Sequence, residues 1–249
     1  MAEHTGIEWA ESTVNFWMGC EKVSAGCAHC YAERLVRDLM GKDFRTVRRT
    51  SDASFYGALR WREPRTIFTC SLSDFFIEAA DPWREEAWRV IRETPRHTWL
   101  ILTKRPERIA AHLPFDWGEE GYPNVWLGVS GETVELLEKR ALPVSRAAVG
   151  VRFASMEPWL DDGMGEAEIG PSGRDSLLGM FDWVILGGES GPGARPLNPS
   201  SVRAVRDACA RLRVPFFFKQ WGGVGDKRDH AEAVIDGRRW VEMPTRSAP

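Results

Sequence analysis

Seven short apolar runs recur along the chain: Val14–Met18, Thr66–Cys70, Thr98–Leu102, Val125–Val129, Val151–Ala154, Trp183–Leu186 and Pro215–Phe218. Most are apolar at nearly every position rather than at alternate ones, the pattern of parallel strands covered on both faces. Amphipathic stretches separate them. Cys30–Met40 reads CYAERLVRDLM, with Gly41 just past its end as a stop signal. Asp81 and Pro82 stand as N-cap and first helical residue before WREEAWRVIRE, where Trp83, Ala87, Val90 and Ile91 share one side. Asn198 and Pro199 repeat that device before SSVRAVRDACARLR, and Thr133 can cap VELLEKRAL. Strands alternating with helices, through connections long enough for crossovers, predict an α/β fold with a parallel sheet. Seven or so units in one chain favour a partial or full (β/α) barrel over two separate halves. The less regular stretches Arg45–Pro64 and Asp161–Met180 read as insertions on the loop face, and neither has a linker's composition. One domain spanning residues 1–249 is expected.

Charge and cysteine content narrow the class. Lys plus Arg is 33 against 36 for Asp plus Glu, a net charge of −3, which excludes a uniformly basic nucleic-acid coat while leaving room for local basic patches. No apolar run approaches the roughly 20 residues a membrane helix needs. The opening MAEHTGIEWAEST lacks the apolar block of a secretory signal. Five cysteines is an odd count, and three crowd into one stretch, unlike a secreted disulfide scaffold. The expectation is a globular, cytoplasmic protein with no membrane partner.

Polar residues gather where the apolar runs end. CSLSD follows the second, LTKRPE the third, GVSGE the fourth, ASMEP the fifth, GGESG the sixth and KQWGG the seventh. In parallel α/β folds ligands bind at the C-terminal ends of the strands, so endings on one face imply a shared site.

Between the first run and the first helix lies Cys20-EKVSAG-Cys27-AH-Cys30, a C-x6-C-x2-C pattern. Three thiolates on such a loop can wrap a metal centre. A structural zinc wants four protein ligands and would need His29 or His4, yet His29 lies between two of the cysteines and is poorly placed to close a tetrahedron with both. A [4Fe–4S] cluster would use three thiolates and leave one iron open to an external ligand. Simple burial of the three thiols is the remaining reading. Cys70 and Cys209 fall within strand and helix patterns and read as core.

The stretch TGIEWAESTVNFWMGCEKVSAGCAHCYAERL resembles the opening of a phage-associated family with a three-cysteine motif. The resemblance continues through FTCSLSDFF, WLILTKRPE, WLGVSGE, RFASMEPWL, WVILGGESGPGARP and FFFKQWGG, nearly the whole chain. That family is similar to a divergent branch of the radical S-adenosylmethionine superfamily. The resemblance implies a barrel of that type, a [4Fe–4S] cluster on Cys20, Cys27 and Cys30, and S-adenosylmethionine cleaved by an external one-electron reductant to a 5′-deoxyadenosyl radical that abstracts hydrogen. The first cysteine gap is three residues longer than the superfamily's usual C-x3-C-x2-C, and His29 stands where an aromatic is usual.

By the same resemblance, Ser71, Ser73 and Asp74 face the methionine amino group, and Lys104 or Arg105 its carboxylate. Ser130 and Glu132 face the ribose, and His29 or Tyr31 the adenine. Glu157, Glu189 and Arg195 are the candidate catalytic or substrate-contacting residues. Plainer readings stand beside these: a solvated loop at Lys104–Glu107, a turn at Glu157–Pro158, and a tight glycine loop at Gly187–Gly193. Trp61, Trp159 and Trp221 fall in loops at strand ends, where stacking on a base competes with core packing. Arg45, Arg48, Arg49, Arg60, Arg62 and Arg65 form one local basic region, either a solvated insertion or a phosphate-tracking surface. With the phage association, the latter points to DNA or a modified nucleotide as substrate, with isomerisation of an amino-acid-modified thymidine as the reaction. A nucleic-acid repair lyase using the same cluster, and a non-catalytic zinc-stapled binding module, are the alternatives.

Overall fold

The computed structural model describes residues 2–161, 177–223 and 233–245. The chain opens with β1 (Ser12–Val14), β2 (Trp17–Met18) and α1 (Tyr31–Arg34), which runs on as a π-helical turn at Leu35–Leu39. It continues through β3 (Arg48–Arg49), α2 (Asp52–Phe55), β4 (Thr66–Thr69), α3 (Asp81–Arg92), β5 (Thr98–Thr103) and α4 (Ile109–His112). Then follow β6 (Val125–Ser130), α5 (Val134–Ser145), β7 (Val151–Met156), β8 (Trp183–Gly187), α6 (Pro199–Leu212), β9 (Phe216–Gln220), β10 (Val234–Ile235) and β11 (Arg238–Arg239). Seven strands form one parallel sheet in the order β1-β4-β5-β6-β7-β8-β9, curled into a half-barrel. The expected α/β partial barrel is present. Among the described residues no helix is long and apolar enough to cross a membrane.

Side chains alternate across each strand, and the two faces carry different cargo. Ile67, Trp99, Ile101, Leu127, Val129, Leu186 and Phe218 belong to the larger buried cluster, which also takes in helical residues such as Trp88, Val90 and Val205. Phe68, Leu100, Trp126, Phe153, Trp183, Ile185 and Phe217 fill the concave face. Trp9, from the segment before β1, closes that aromatic layer, its ring 4.6 Å from Phe68 and 6.3 Å from Trp183. Gly128 belongs here by size: a Cβ would sit 2.5 Å from the Phe153 ring. Past this layer the concave face turns polar, with Ser130, Ser155, Glu157 and Lys219 lining open space.

The differences from expectation are local. The run Val14–Met18 does not form one strand: β1 stops at Val14, and β2 pairs antiparallel with β3 in a separate ribbon, Trp17 opposite Arg49. Asn15 makes the break, its Oδ1 accepting from the Leu72 N–H at 3.0 Å, so the chain turns toward the end of β4. Cys70 lies outside β4, in the left-handed region at φ 59°. Asp81 is the first residue of α3 rather than its cap, and its carboxylate instead pairs with Arg84 and Arg108. Thr133 and Asn198 cap as expected, accepting from Leu136 N–H and Ser200 N–H respectively. Arg45–Pro64 is not an insertion on the loop face: it carries β3 and α2 and leads into the N-terminal end of β4, with Phe55 and Ala58 fully buried. Most of the second irregular stretch, 162–176, lies outside the described residues.

Candidate active site

A cavity of about 280 Å³ opens at the C-terminal ends of the sheet strands, and Cys20, Cys27 and Cys30 all line it. The loop from β2 to α1 carries them. Gly19, at φ 99°, begins the loop where a Cβ would strike the Thr46 carbonyl oxygen at 2.5 Å, a position only glycine can hold. Cys27 ends a 3-10 turn at Ala25–Cys27, and Cys30 is the N-cap residue of α1. All three are free thiols.

The loop is held down by side chains from the ends of many strands. Ser73 Oγ donates to the Gly19 carbonyl at 2.5 Å, and Arg105 donates to the Glu21 carbonyl at 3.1 Å. Ser24 Oγ donates to Glu132 at 2.5 Å, and Arg195 donates to the Ala25 carbonyl at 3.1 Å. His29 Nδ1 meets Glu189 at 2.9 Å, Tyr31 donates to the Ser71 carbonyl at 2.7 Å, and Arg34 donates to the Ser190 carbonyl at 3.2 Å. Gly26 presses on Glu132 so closely that a Cβ would overlap its side chain, 2.2 Å from Cγ.

Two cations stand beside two of the sulfurs. Arg105 Nη1 is 3.8 Å from Cys20 Sγ and 3.2 Å from Asp74. Lys104 Nζ is 3.8 Å from Cys27 Sγ and pairs with Glu132. Burial, helped by the Asp74 charge, pushes the Cys20 thiol up to about 11 against the pull of Arg105. At Cys27 burial also favours the thiol, but Lys104 and hydrogen bonds from Val23 and Ser24 outweigh it and hold the group below its ordinary 9.0. At Cys27 the cation thus favours thiolate, the form that binds metals, whereas at Cys20 burial outweighs it.

Most residues singled out from sequence line this cavity, whereas Glu132 and Arg195 stand behind its wall. Ser71, Ser73, Asp74, Lys104, Arg105, Ser130, Glu157, Glu189, His29 and Tyr31 all line it. Asp74 is already engaged, accepting from Thr103 at 2.7 Å, from Lys104 N–H at 2.8 Å and from Phe76 N–H at 2.9 Å. Glu132 is fully buried among Lys104, Arg140 and Ser24. Arg195 lies behind Glu189, its Nε 2.8 Å and its backbone N–H 3.0 Å from Oε2. Although burial works against the charge, Arg195 and His29 together bring the Glu189 carboxyl down to about 2. Glu157 pairs with Lys219 at 2.7 Å and accepts from Ser155 at 3.1 Å.

Several participants carried no signal in the sequence reading. Ser24 and Arg140 matter only through Glu132, and Asn15 only through Leu72 and Ser71. Lys219 lay in KQWGG, one of the polar endings, without a role of its own. The segment Gly6–Trp9 also reaches the cavity wall. Trp61 is elsewhere: it precedes β4, at the N-terminal ends of the strands, and packs on His97. Trp159 is buried, and Trp221 packs on Phe218 and donates to the Val234 carbonyl. Several arginines of the basic region are engaged within the protein. Arg49 pairs with Asp52 and Glu86 over the Phe55 ring, Arg65 pairs with Glu3, and Arg48 and Arg60 donate to backbone carbonyls.

As a metal site the donor set has a definite character. Among the described residues no three His, Cys, Asp or Glu side chains close on one ion-sized point, and His29 is turned to Glu189. A single tetrahedral zinc needs such convergence. A cubane binds each thiolate at a different iron and does not require the sulfurs to meet at one point; cations stand beside two of them.

Fold and site together define an α/β half-barrel with a three-thiol loop clamped over the mouth of its sheet. The chain belongs to the family described as "protein of unknown function (DUF5131)", whose model matches residues 4–244. No curated protein and no solved structure matches it.

Proposed function

We propose that the protein is a radical S-adenosylmethionine enzyme whose [4Fe–4S] cluster is held by Cys20, Cys27 and Cys30. One observation carries the reading: three free thiols line one cavity at the C-terminal ends of a parallel sheet, on a loop tied down by side chains from several strand ends. With cluster and S-adenosylmethionine bound, an external one-electron reductant would drive formation of the 5′-deoxyadenosyl radical that removes a hydrogen atom from substrate. The chain's own residues set the stage for that step. Lys104 and Arg105 stabilise negative charge at the sulfurs. Glu132, Glu189 and Arg195 fix the loop, and the aromatic layer around Trp9 seals the lower part of the concave face against water.

The substrate we propose is a nucleic acid, specifically an amino-acid-modified thymidine in phage DNA that the enzyme isomerises in the host cytoplasm. The isolated arginine region gives this little help, since four of its six members are engaged internally. A repair lyase on the same cluster is separated from an isomerase by product analysis.

Anaerobic reconstitution with iron and sulfide tests the chemistry. Four irons per chain and 5′-deoxyadenosine on reduction with S-adenosylmethionine are expected. One zinc, no sulfide and no cofactor cleavage would select the zinc-stapled module instead.

A further inference from the structure

Glu157 directly follows β7, Gly187 ends β8, and Lys219 lies near the end of β9 where the β8–β9 register shifts, so the three sit at neighbouring strand ends. The middle position has no side chain. A Cβ on Gly187 would lie 3.1 Å from Glu157 Oε1 and 3.4 Å from Lys219 Cβ. That gap lets a carboxylate and an ammonium from next-nearest strands meet at 2.7 Å across the concave wall. Both groups line the cavity that holds the three cysteines, and neither belongs to the ties that hold the cysteine loop. They are 13% and 23% exposed, so both charges are poorly hydrated.

Several other charges at or behind this wall are held in ion pairs of their own. Lys104 and Arg140 neutralise Glu132, Arg105 sits on Asp74, and Arg195 forks onto Glu189. The Glu157–Lys219 pair differs. Glu157 Oε1 is buried with the Lys219 ammonium facing it, and Lys219 has two further N–H donors beyond that one. A ligand with a single charge would compensate one member and strand the other in a poorly hydrated site, which is costly. A ligand bearing an amine and a carboxylate on one carbon satisfies both at once, the amine on Glu157 and the carboxylate on Lys219.

We infer that Glu157 and Lys219, meeting across Gly187, form a subsite for an α-amino-carboxylate group. The inference rests on reading this cavity as an active site. Two sources share that chemistry: the methionyl end of the cofactor, and an amino acid carried by the substrate.

Binding to the protein as purified, without reconstitution or turnover, keeps the test separate from the iron–sulfur reading. Isothermal titration with L-methionine, its decarboxylated amine and its deaminated acid should show the amino acid binding at least tenfold more tightly than either fragment. K219M and E157Q should each remove that preference, and G187A should weaken methionine while preserving both charges. Far-UV circular dichroism confirms that each variant is folded. Loss of S-adenosylhomocysteine affinity in K219M assigns the group to the cofactor. Unchanged S-adenosylhomocysteine affinity with lost methionine binding assigns it to the substrate. Equal binding of the acid fragment and methionine, or methionine affinity unmoved in all three variants, overturns the inference even if reconstituted enzyme cleaves S-adenosylmethionine.

Discussion

Glu132 is the buried anion on which the cysteine loop depends, and E132Q isolates its charge. Its side chain is fully buried, takes Lys104 and Ser24 on one oxygen and Arg140 on the other at 2.7 Å, and packs directly on Gly26. The amide keeps the shape and removes the negative charge, leaving two cations facing each other. Breaking one side of a buried ion pair costs roughly 3–5 kcal/mol. Arg140 is only 6% exposed and cannot escape, whereas Lys104 at 19% can turn partly to solvent, so the lower end applies. For a chain of 249 residues, each kcal/mol moves Tm by ~2–4 °C, so a fall of about 6–12 °C is expected. Thermal unfolding followed by tryptophan fluorescence measures it, and thiol titration with a chromogenic disulfide reports whether the loop opens first. In a cycle with K104M, the two changes should couple by at least ~1 kcal/mol. A Tm within about 2 °C of wild type, with thiol reactivity unchanged, would refute the claim that Glu132 anchors the loop.

Other perturbations address the same architecture. Gly26→Ala places a methyl 2.2 Å from Glu132 Cγ, so it should raise thiol reactivity and lower Tm without changing any charge. The Glu189 carboxyl sits at about 2 when folded against an ordinary 4.5, so its contribution is complete above pH 4.5 and fades as pH falls toward 2. Thiol accessibility should therefore rise over that acidic window in wild type and already be high at pH 7 in E189Q. Cys27→Ala should abolish iron incorporation, whereas Cys209→Ala, in the core of α6, should cost stability and leave iron content intact.

The sheet was legible because strands covered on both faces are written as unbroken apolar runs, and the helices because Thr133 and Asn198 carry their caps locally. Val14–Met18 misled because its second half pairs with Arg48–Arg49, about thirty residues on, a pairing no local pattern encodes. The site was half legible. Polar residues at strand ends named the right wall, since topology puts all those ends at one mouth. Which of them are spent on the protein itself depends on three-dimensional neighbours: Asp74 reads as a ligand contact until Thr103, Arg105 and two backbone N–H groups are found on it. Lys219 and Glu157 could not be paired from sequence either, because their meeting depends on the strand order and on the bare Gly187 between them.

The central claim is that the three thiols together carry an iron–sulfur cluster with one open coordination site. Electron paramagnetic resonance of the anaerobically reconstituted, reduced protein tests it most directly. The account predicts a [4Fe–4S] signal that shifts when S-adenosylmethionine is added and is missing from C20A, C27A and C30A. A protein that takes up no cluster, or a signal indifferent to S-adenosylmethionine, would contradict it.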